Sequence, residues 1–118
     1  RGESVLPKSY SLAKRFKLLV DRHYLQFGSL KEYAQALLVT ERRLNEAVKS
    51  VTGKTATQLI HERILLEAKR LLTQSDLGIS EIAYRLNFED PAYFSRFFKK
   101  HVQAAPGAFK KMFTGPLA

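Results

Sequence analysis

The sequence predicts an all-α protein of about seven helices, in which two helix-turn-helix subdomains are joined by a long linker helix. Three observations support this fold class. Apolar residues recur at helical spacing along most of the 118 residues, capping residues stand where these patterns begin, and one helix-turn-helix pattern occurs twice. Alternating apolar and polar residues, which would indicate strands, form no convincing run.

The helical patterns divide the chain into five segments. Residues 1–10 are interpreted as a linker remnant, 11–54 as the first helix-turn-helix subdomain, 55–74 as the linker helix, 75–113 as the second subdomain and 114–118 as a C-terminal tail. The chain begins RGESVLP, without an initiator Met. We therefore expect it to be a part of a longer protein or a processed product.

Several helix ends are marked by residues that satisfy free backbone groups. Ser29 with Glu32, and Thr55 with Gln58, have the spacing of a capping box. Asp90 followed by Pro91 combines a capping carboxylate with a proline at the first helical position. Thr40 and Gly78 are further predicted N-caps, and a last helix is predicted to begin at Pro106. The residues predicted to end helices are Gly28, Gly53 and Asn87.

The repeat is visible in two pairs of segments. LKEYAQAL at 30–37 matches ISEIAYRL at 79–86, with an apolar residue, Glu, Ala and Leu at the same spacing. LNEAVKS at 44–50 then matches FSRFFKK at 94–100, after a turn that is one residue longer. Two copies do not make a solenoid. They indicate one supersecondary unit that is used twice.

The aromatic and basic residues of DPAYFSRFFKK, residues 90–100, separate onto two faces of a helix at about 100° per residue. The face predicted to be buried holds Phe94, Phe97, Phe98 and His101, and the corresponding face of the first unit holds Leu44, Ala47, Val48 and Val51. Rings that point inward argue against a surface for stacking RNA bases. Residues 79–86 offer a matching apolar face, which favours a helix-turn-helix over a membrane-binding helix.

The charge balance restricts the partners. Lys and Arg number 20 against 11 Asp and Glu, a net charge of +9, which favours nucleic acid, an anionic membrane or an acidic protein. The absence of Cys excludes disulfides and thiolate metal sites, and no apolar run approaches the roughly 18 residues of a membrane span. No nucleotide-binding or hydrolase motif occurs. We therefore expect no enzyme activity, no cofactor and no metal.

The linker helix favours duplex DNA among these partners. The 19 residues from 55 to 73 would extend over roughly 28 Å. A rigid spacer of about this length can place two helices about one turn of B-DNA apart, roughly 34 Å. The second helices of the two units, at about 40–52 and 90–102, would then enter adjacent major grooves.

Two long segments carry a resemblance to a known family. ERILLEAKRLL at 62–72 and ISEIAYRLNFEDPAYFSRFFKKHVQAAPGAFKK at 79–111 resemble the DNA-binding domain of bacterial transcription regulators of the AraC/XylS family. The resemblance extends from about residue 12 over nearly the whole remaining chain. It implies sequence-specific binding of double-stranded DNA and a cytoplasmic protein, nucleoid-associated when bound. It also implies a C-terminal position behind an effector or dimerisation domain.

The resemblance also implies which residues read bases. Carried over by position, they are Arg42, Asn45, Glu46, Ala92, Ser95 and Arg96, with Pro91 and Tyr93 as further candidates. The candidates for contacts to the DNA backbone, from their charge or their place at a helix start, are Thr40, Lys49, Lys54, Lys99 and Lys100. Some alternatives stay open: Arg96 reads guanine or clamps a phosphate, and Asn45 reads adenine or is a surface residue. For Glu46 an ion pair with Arg42, four residues away, is favoured over base reading.

Three departures from the family pattern and one rival function complete the expectations. Leu38 stands where a left-handed residue is required, so the first turn is expected to differ in shape from the second. After the second recognition helix, Gln103 replaces the usual Gly and Ala105 replaces the usual Thr or Ser before Pro106, which predicts a less well capped last helix. The rival function is a helical interaction module that binds an acidic protein such as RNA polymerase. Salt-dependent binding to duplex oligonucleotides discriminates between the two.

Overall fold

The computed structural model describes residues 2–114, and the side chains of residues 8–113. Within this part of the chain the regular elements are seven α-helices, which confirms the predicted fold class. They are α1 (Gly2–His23), α2 (Leu30–Ala36), α3 (Glu41–Thr52), α4 (Ala56–Gln74), α5 (Ile79–Arg85), α6 (Pro91–Val102) and α7 (Pro106–Thr114). The helix-turn-helix pairs are α2–α3 and α5–α6, and α4 is the linker helix.

The first helix differs from its prediction at both ends. It begins at Gly2 rather than at residue 11, where the predicted first subdomain starts, so most of the predicted linker remnant is helical. Ser9 in this segment is buried. It ends at His23, and Gly28 instead donates its N–H to the Glu32 carboxylate at 2.6 Å. The Ser29 side chain makes no capping bond. The predicted box at Ser29 is therefore wrong, because Glu32 reaches one residue further back.

The other chain end lies partly beyond the described residues. Thr114, which the sequence assigned to the tail, is the last residue of α7, and residues 115–118 lie outside the described part.

The first of two compact units extends to Arg63. Its core packs α1 against α2 and α3, and its largest buried side chains include Phe16, Tyr33 and Leu44. The Phe16 and Tyr33 rings meet edge to face with centroids 5.4 Å apart. This packing fixes the inward face of α3, and thereby the face that α3 turns to solvent.

The second unit begins at Ile64 and is built around aromatic rings. Phe94 and Phe98 of α6 are fully buried, as the helical spacing predicts, and Phe98 meets Phe109 of α7 at 5.4 Å. The rest of this core is aliphatic: Ala68, Leu71 and Leu72 from α4, Ile82 and Ala83 from α5, and Leu86 from the turn. The rings of residues 90–100 therefore serve mainly the interior.

The turns of the two helix-turn-helix pairs begin with the same backbone conformation. Leu38 (φ 58°) and Asn87 (φ 69°) are both left-handed. The amide after each closes a six-residue ring, Val39 N–H to Ala34 O and Phe88 N–H to Ala83 O, both at 3.0 Å, as in a Schellman motif. Leu38 is thus left-handed like Asn87, and the two turns differ after this point, because Thr40 caps α3 two residues later whereas Asp90 caps α6 three residues later. The motif's hydrogen bonds impose the conformation on Leu38 despite its side chain.

Two residues predicted to face inward are exposed. Val51 is 38% exposed, and His101 lies on the surface, where its ring is tilted against Phe97 with centroids 4.8 Å apart. Both lie in the last turn of their helices. Helical spacing gives only the direction of a side chain, whereas burial also requires a packing partner at that height of the helix.

Candidate nucleic-acid interface

The start of α3 is fixed by a side-chain cap. Thr40 is exposed and accepts the N–H of Arg43 on its Oγ1 at 3.0 Å, as predicted. At the other end Gly53 is left-handed (φ 78°) and closes the helix on Lys49 O. The exposed face of α3 is thus held at both ends by local hydrogen bonds.

Arg42 and Glu46 form an ion pair on the exposed face of α3. The Arg42 Nε lies 3.3 Å from Glu46 Oε2, and the two side chains are 89% and 58% exposed. A pair this exposed contributes at most about 0.5 kcal/mol to stability. It can therefore open at little cost when a better acceptor for the guanidinium approaches.

Asn45 lies half-buried beside this pair and contacts α4. Its Oδ1 accepts the N–H of Ala56, the first residue of α4, at 2.8 Å. The predicted box of Thr55 and Gln58 is present there too, with bonds of 2.7 and 3.1 Å. The Asn45 amide group therefore helps to cap the linker helix, and its NH₂ group is the part left to act as a donor.

The cations at the end of α3 differ in their surroundings. Lys49 is exposed. Lys54 is exposed as well and pairs with Glu62 of α4, Nζ to Oε2 2.7 Å. A surface ion pair is weak, so Lys54 can still exchange Glu62 for a phosphate.

The start of α6 repeats that of α3 with different side chains. The Asp90 carboxylate accepts the N–H of Ala92 at 2.8 Å, which confirms the predicted cap. Ala92 is exposed and Ser95 is half-buried. Arg96 is exposed, and its guanidinium lies 5.9 Å from the centre of the Tyr93 ring, a distance typical of a cation–π contact.

The outer face of α6 continues into the exposed Lys99 and Lys100. The last turn of α6 contains three basic residues, Lys99, Lys100 and His101. Gln103 ends the helix in the left-handed region (φ 68°). The Gln103 amide donates to Lys100 O at 3.0 Å. The side chain thus supplies a bond that a glycine could not.

Sequence reasoning missed three features of these faces. Arg43 is half-buried and reaches back to Ser9 of α1, Asn45 contacts α4, and Tyr93 lies beneath Arg96. The spacing of Tyr93 and Arg96, three residues apart on one helix, was a signal for the last. The first two join segments 34 and 11 residues apart in sequence, which local patterns do not reveal.

Two negative results concern the described residues alone. Their helices include none that is long and apolar enough to cross a membrane. They also contain no group of three or more His, Asp or Glu placed to hold a metal ion.

Two helix-turn-helix pairs, each with a capped and exposed second helix, define a class of nucleic-acid-binding domain. A family model described as a helix-turn-helix domain matches residues 33–112. The chain belongs to the AraC/XylS family of helix-turn-helix transcription regulators, as a sequence-specific DNA-binding domain. This is a family of regulators rather than of enzymes.

Individual relatives agree with this assignment. The transcriptional activator RhaR of Cronobacter sakazakii is 34% identical over 89 residues, 75% of this chain and 31% of RhaR. The C-terminal domain of AraT, a response regulator of Geobacillus stearothermophilus, is 26% identical with a TM-score of 0.80, over 86% of this chain and 84% of that domain. The chain spans about a third or less of the length of the first curated relatives it matches.

A third relative is similar in fold. The DNA-binding domain of the transcriptional factor AdpA, whose structure is in complex with a target DNA, is 24% identical with a TM-score of 0.74. The match covers 86% of this chain and 91% of that domain.

Proposed function

We propose that α3 and α6 are the two recognition helices and that they enter adjacent major grooves of one DNA duplex. The observation that carries this proposal is the repetition of one helix-turn-helix pair. Each of the two pairs has a seven-residue helix, a left-handed turn and a 12-residue helix with a side-chain cap and a polar exposed face. The linker helix α4 has 19 residues, and about 28 Å of helix suits one turn of DNA.

The proposed base contacts lie on these two exposed faces. Arg42 and Arg96 are proposed to donate to guanine, the commonest specific contact. Asn45 and Ser95 are proposed to act as donors, and Ala92 to make an apolar contact. Glu46 is proposed to orient Arg42 in the free protein through their ion pair, which opens when Arg42 donates to a base.

The backbone contacts are proposed to supply most of the affinity. Each cation that neutralises a phosphate releases a condensed counterion, which makes binding dependent on salt. The proposed contacts are Thr40, Lys49, Lys54, Lys99 and Lys100. All five are exposed, and the net charge of +9 supports the attraction.

The role of the whole protein is proposed from the length of its relatives. Because this chain spans 31% of RhaR, a transcriptional activator, we expect an effector or dimerisation domain elsewhere in the full-length protein. RNA polymerase is a proposed partner. The proposed location is the cytoplasm, on the nucleoid when DNA is bound.

Selection of bound sequences from random duplexes tests the proposal. We expect two short preferred elements about 10 base pairs apart, and affinity that falls steeply with salt. Binding that ignores sequence, or a single preferred element, would contradict the use of two recognition helices. Binding to an acidic protein without any binding to duplex DNA would favour the interaction module.

A further inference from the structure

An open cleft of about 410 Å³ lies where α1 meets the start of α3. Leu12 and Val39 contribute its apolar part, and four polar residues complete the lining: Lys8, Ser11, Arg15 and Arg43. Three of these are cations, and the lining contains no carboxylate. Concentrated positive charge beside a hydroxyl group suits an anion with several acceptor oxygens.

Arg43 is the most constrained of the three cations. It is half-buried, and its Nη1 lies 3.5 Å from the Oγ of Ser9, itself only 5% exposed. Its backbone N–H is held by the Thr40 cap at 3.0 Å. A guanidinium held in this way loses less conformational freedom when it binds an anion.

The position of the cleft relates it to DNA. Arg43 lies about 100° around α3 from Arg42, on the flank between the core face and the proposed reading face. A helix in the major groove, which is about 12 Å wide, has a phosphate backbone along each side. A cation on the flank of such a helix therefore points to phosphate rather than to a base.

We propose that this cleft binds a phosphate group, held by Lys8, Arg15 and Arg43, and that the group belongs to the DNA backbone beside the first recognition helix. This rests on the proposed groove binding of α3. It adds α1, which none of the predicted contacts includes, to the DNA interface. The contact carries no sequence information and fixes the register of α3 in the groove.

The chain offers a matched control on the same helix. Lys14 and Lys17 are exposed on another face of α1, where they line a separate cavity with Tyr10, Leu18 and Asp21. The variants K8A/R15A and K14A/K17A each lose two positive charges at exposed positions. Circular dichroism melts would establish that both fold like the wild type.

Both variants would be titrated with the selected duplex and with an unrelated duplex at several salt concentrations. We expect K8A/R15A to lower affinity for both duplexes on the order of tenfold or more at 0.1 M salt, and to reduce the salt slope by about two. Its base preference should be unchanged, and K14A/K17A should keep the wild-type slope. Equal losses for the two variants would mean general attraction and would overturn the backbone contact, as would no loss for either.

A second arm separates this proposal from the proposed function. Inorganic phosphate would be titrated into the free domain while the Nε–H signal of Arg43, which the wild type and both variants retain, is followed by NMR. Shifts that are seen in the wild type and abolished in K8A/R15A would support a phosphate site in the cleft. If the wild type bound no duplex, these shifts would assign the site to a free phosphate instead of the DNA backbone. If K8A/R15A had no effect on DNA binding and phosphate caused no shift, the proposal would be overturned. The proposed groove binding of α3 could still be correct in that case.

Discussion

Asn45→Ala should destabilise the first unit because it removes the acceptor for the first N–H of α4. The bond from Ala56 N to Asn45 Oδ1 is 2.8 Å long, and Ala56 is fully buried. Water cannot readily replace the lost acceptor at such a site. A buried donor left without a partner costs about 1–3 kcal/mol, and loss of a helix cap costs a similar roughly 0.5–2 kcal/mol.

Urea denaturation followed by circular dichroism would measure this cost. With a slope of about 1–3 kcal/mol/M for a small domain, we expect the midpoint to fall by roughly 1 M. Asn45→Asp is the matched control, since it keeps an acceptor oxygen at the same place. Its charge lies at the N-terminus of α4, where the helix dipole favours an anion, so stability should equal or exceed that of the wild type.

The outcome that refutes this reasoning is an Asn45→Ala midpoint equal to that of the wild type. A parallel selection of bound DNA separates the capping role from base reading. If Asn45 only caps, the variant should prefer the same bases with lower affinity.

Three further predictions concern single side chains. Arg96→Ala should relax preference at one base position, and Lys99→Ala should weaken binding to every duplex alike, in titrations at several salt concentrations. Tyr33→Phe should raise the free energy of unfolding by about 1 kcal/mol in urea denaturation, because the buried Tyr33 hydroxyl has no hydrogen-bond partner among the described residues. Leu38→Asn should raise the melting temperature, by relieving about 1 kcal/mol of left-handed strain on a 90% exposed side chain; Asn87→Leu should lower it.

Each of these has an outcome that contradicts it, which for Tyr33→Phe is a free energy of unfolding no higher than that of the wild type. Equal weakening of all duplexes by Arg96→Ala would make Arg96 a phosphate clamp. An unchanged melting temperature in both turn variants would mean that the left-handed turn stores no strain.

Tyr33 also has a pH test. Burial, with the Glu32 charge beside it, raises the pKa of Tyr33 from 10.0 to about 12. The unfolded chain therefore loses this proton first, and the wild type should lose up to about 1.4 kcal/mol per pH unit relative to Tyr33→Phe between pH 10 and 12. Parallel pH profiles for the two proteins would refute this.

Much of the fold follows from local signals. The caps at Thr40 and Asp90 and the box at Thr55 depend on residues within three positions, so the sequence contains the whole interaction. The buried rings Phe94 and Phe98 follow from helical spacing and a neighbouring apolar helix. The start of α1 was missed because the packing that buries Ser9 depends on tertiary structure.

The candidate site was less predictable. The pair of Arg42 and Glu46 follows from their spacing, whereas the bond from Asn45 to Ala56 depends on how α3 meets α4. His101 illustrates the limit of helical spacing: its direction was correct for a core residue, but it is exposed at the end of α6. Contacts between segments distant in sequence account for most of what the patterns omit.

The ion pair of Arg42 and Glu46 has a consequence for tolerance of imperfect sites. If Arg42 reads a base, it can form its ion pair with Glu46 again when that base is wrong. This ion pair contributes at most about 0.5 kcal/mol. A mismatched base facing Arg42 would then reduce the binding free energy by up to that amount less than a mismatched base facing a guanidinium without a carboxylate partner. Binding sites for this protein would accordingly vary slightly more at the base facing Arg42 than an isolated arginine would allow.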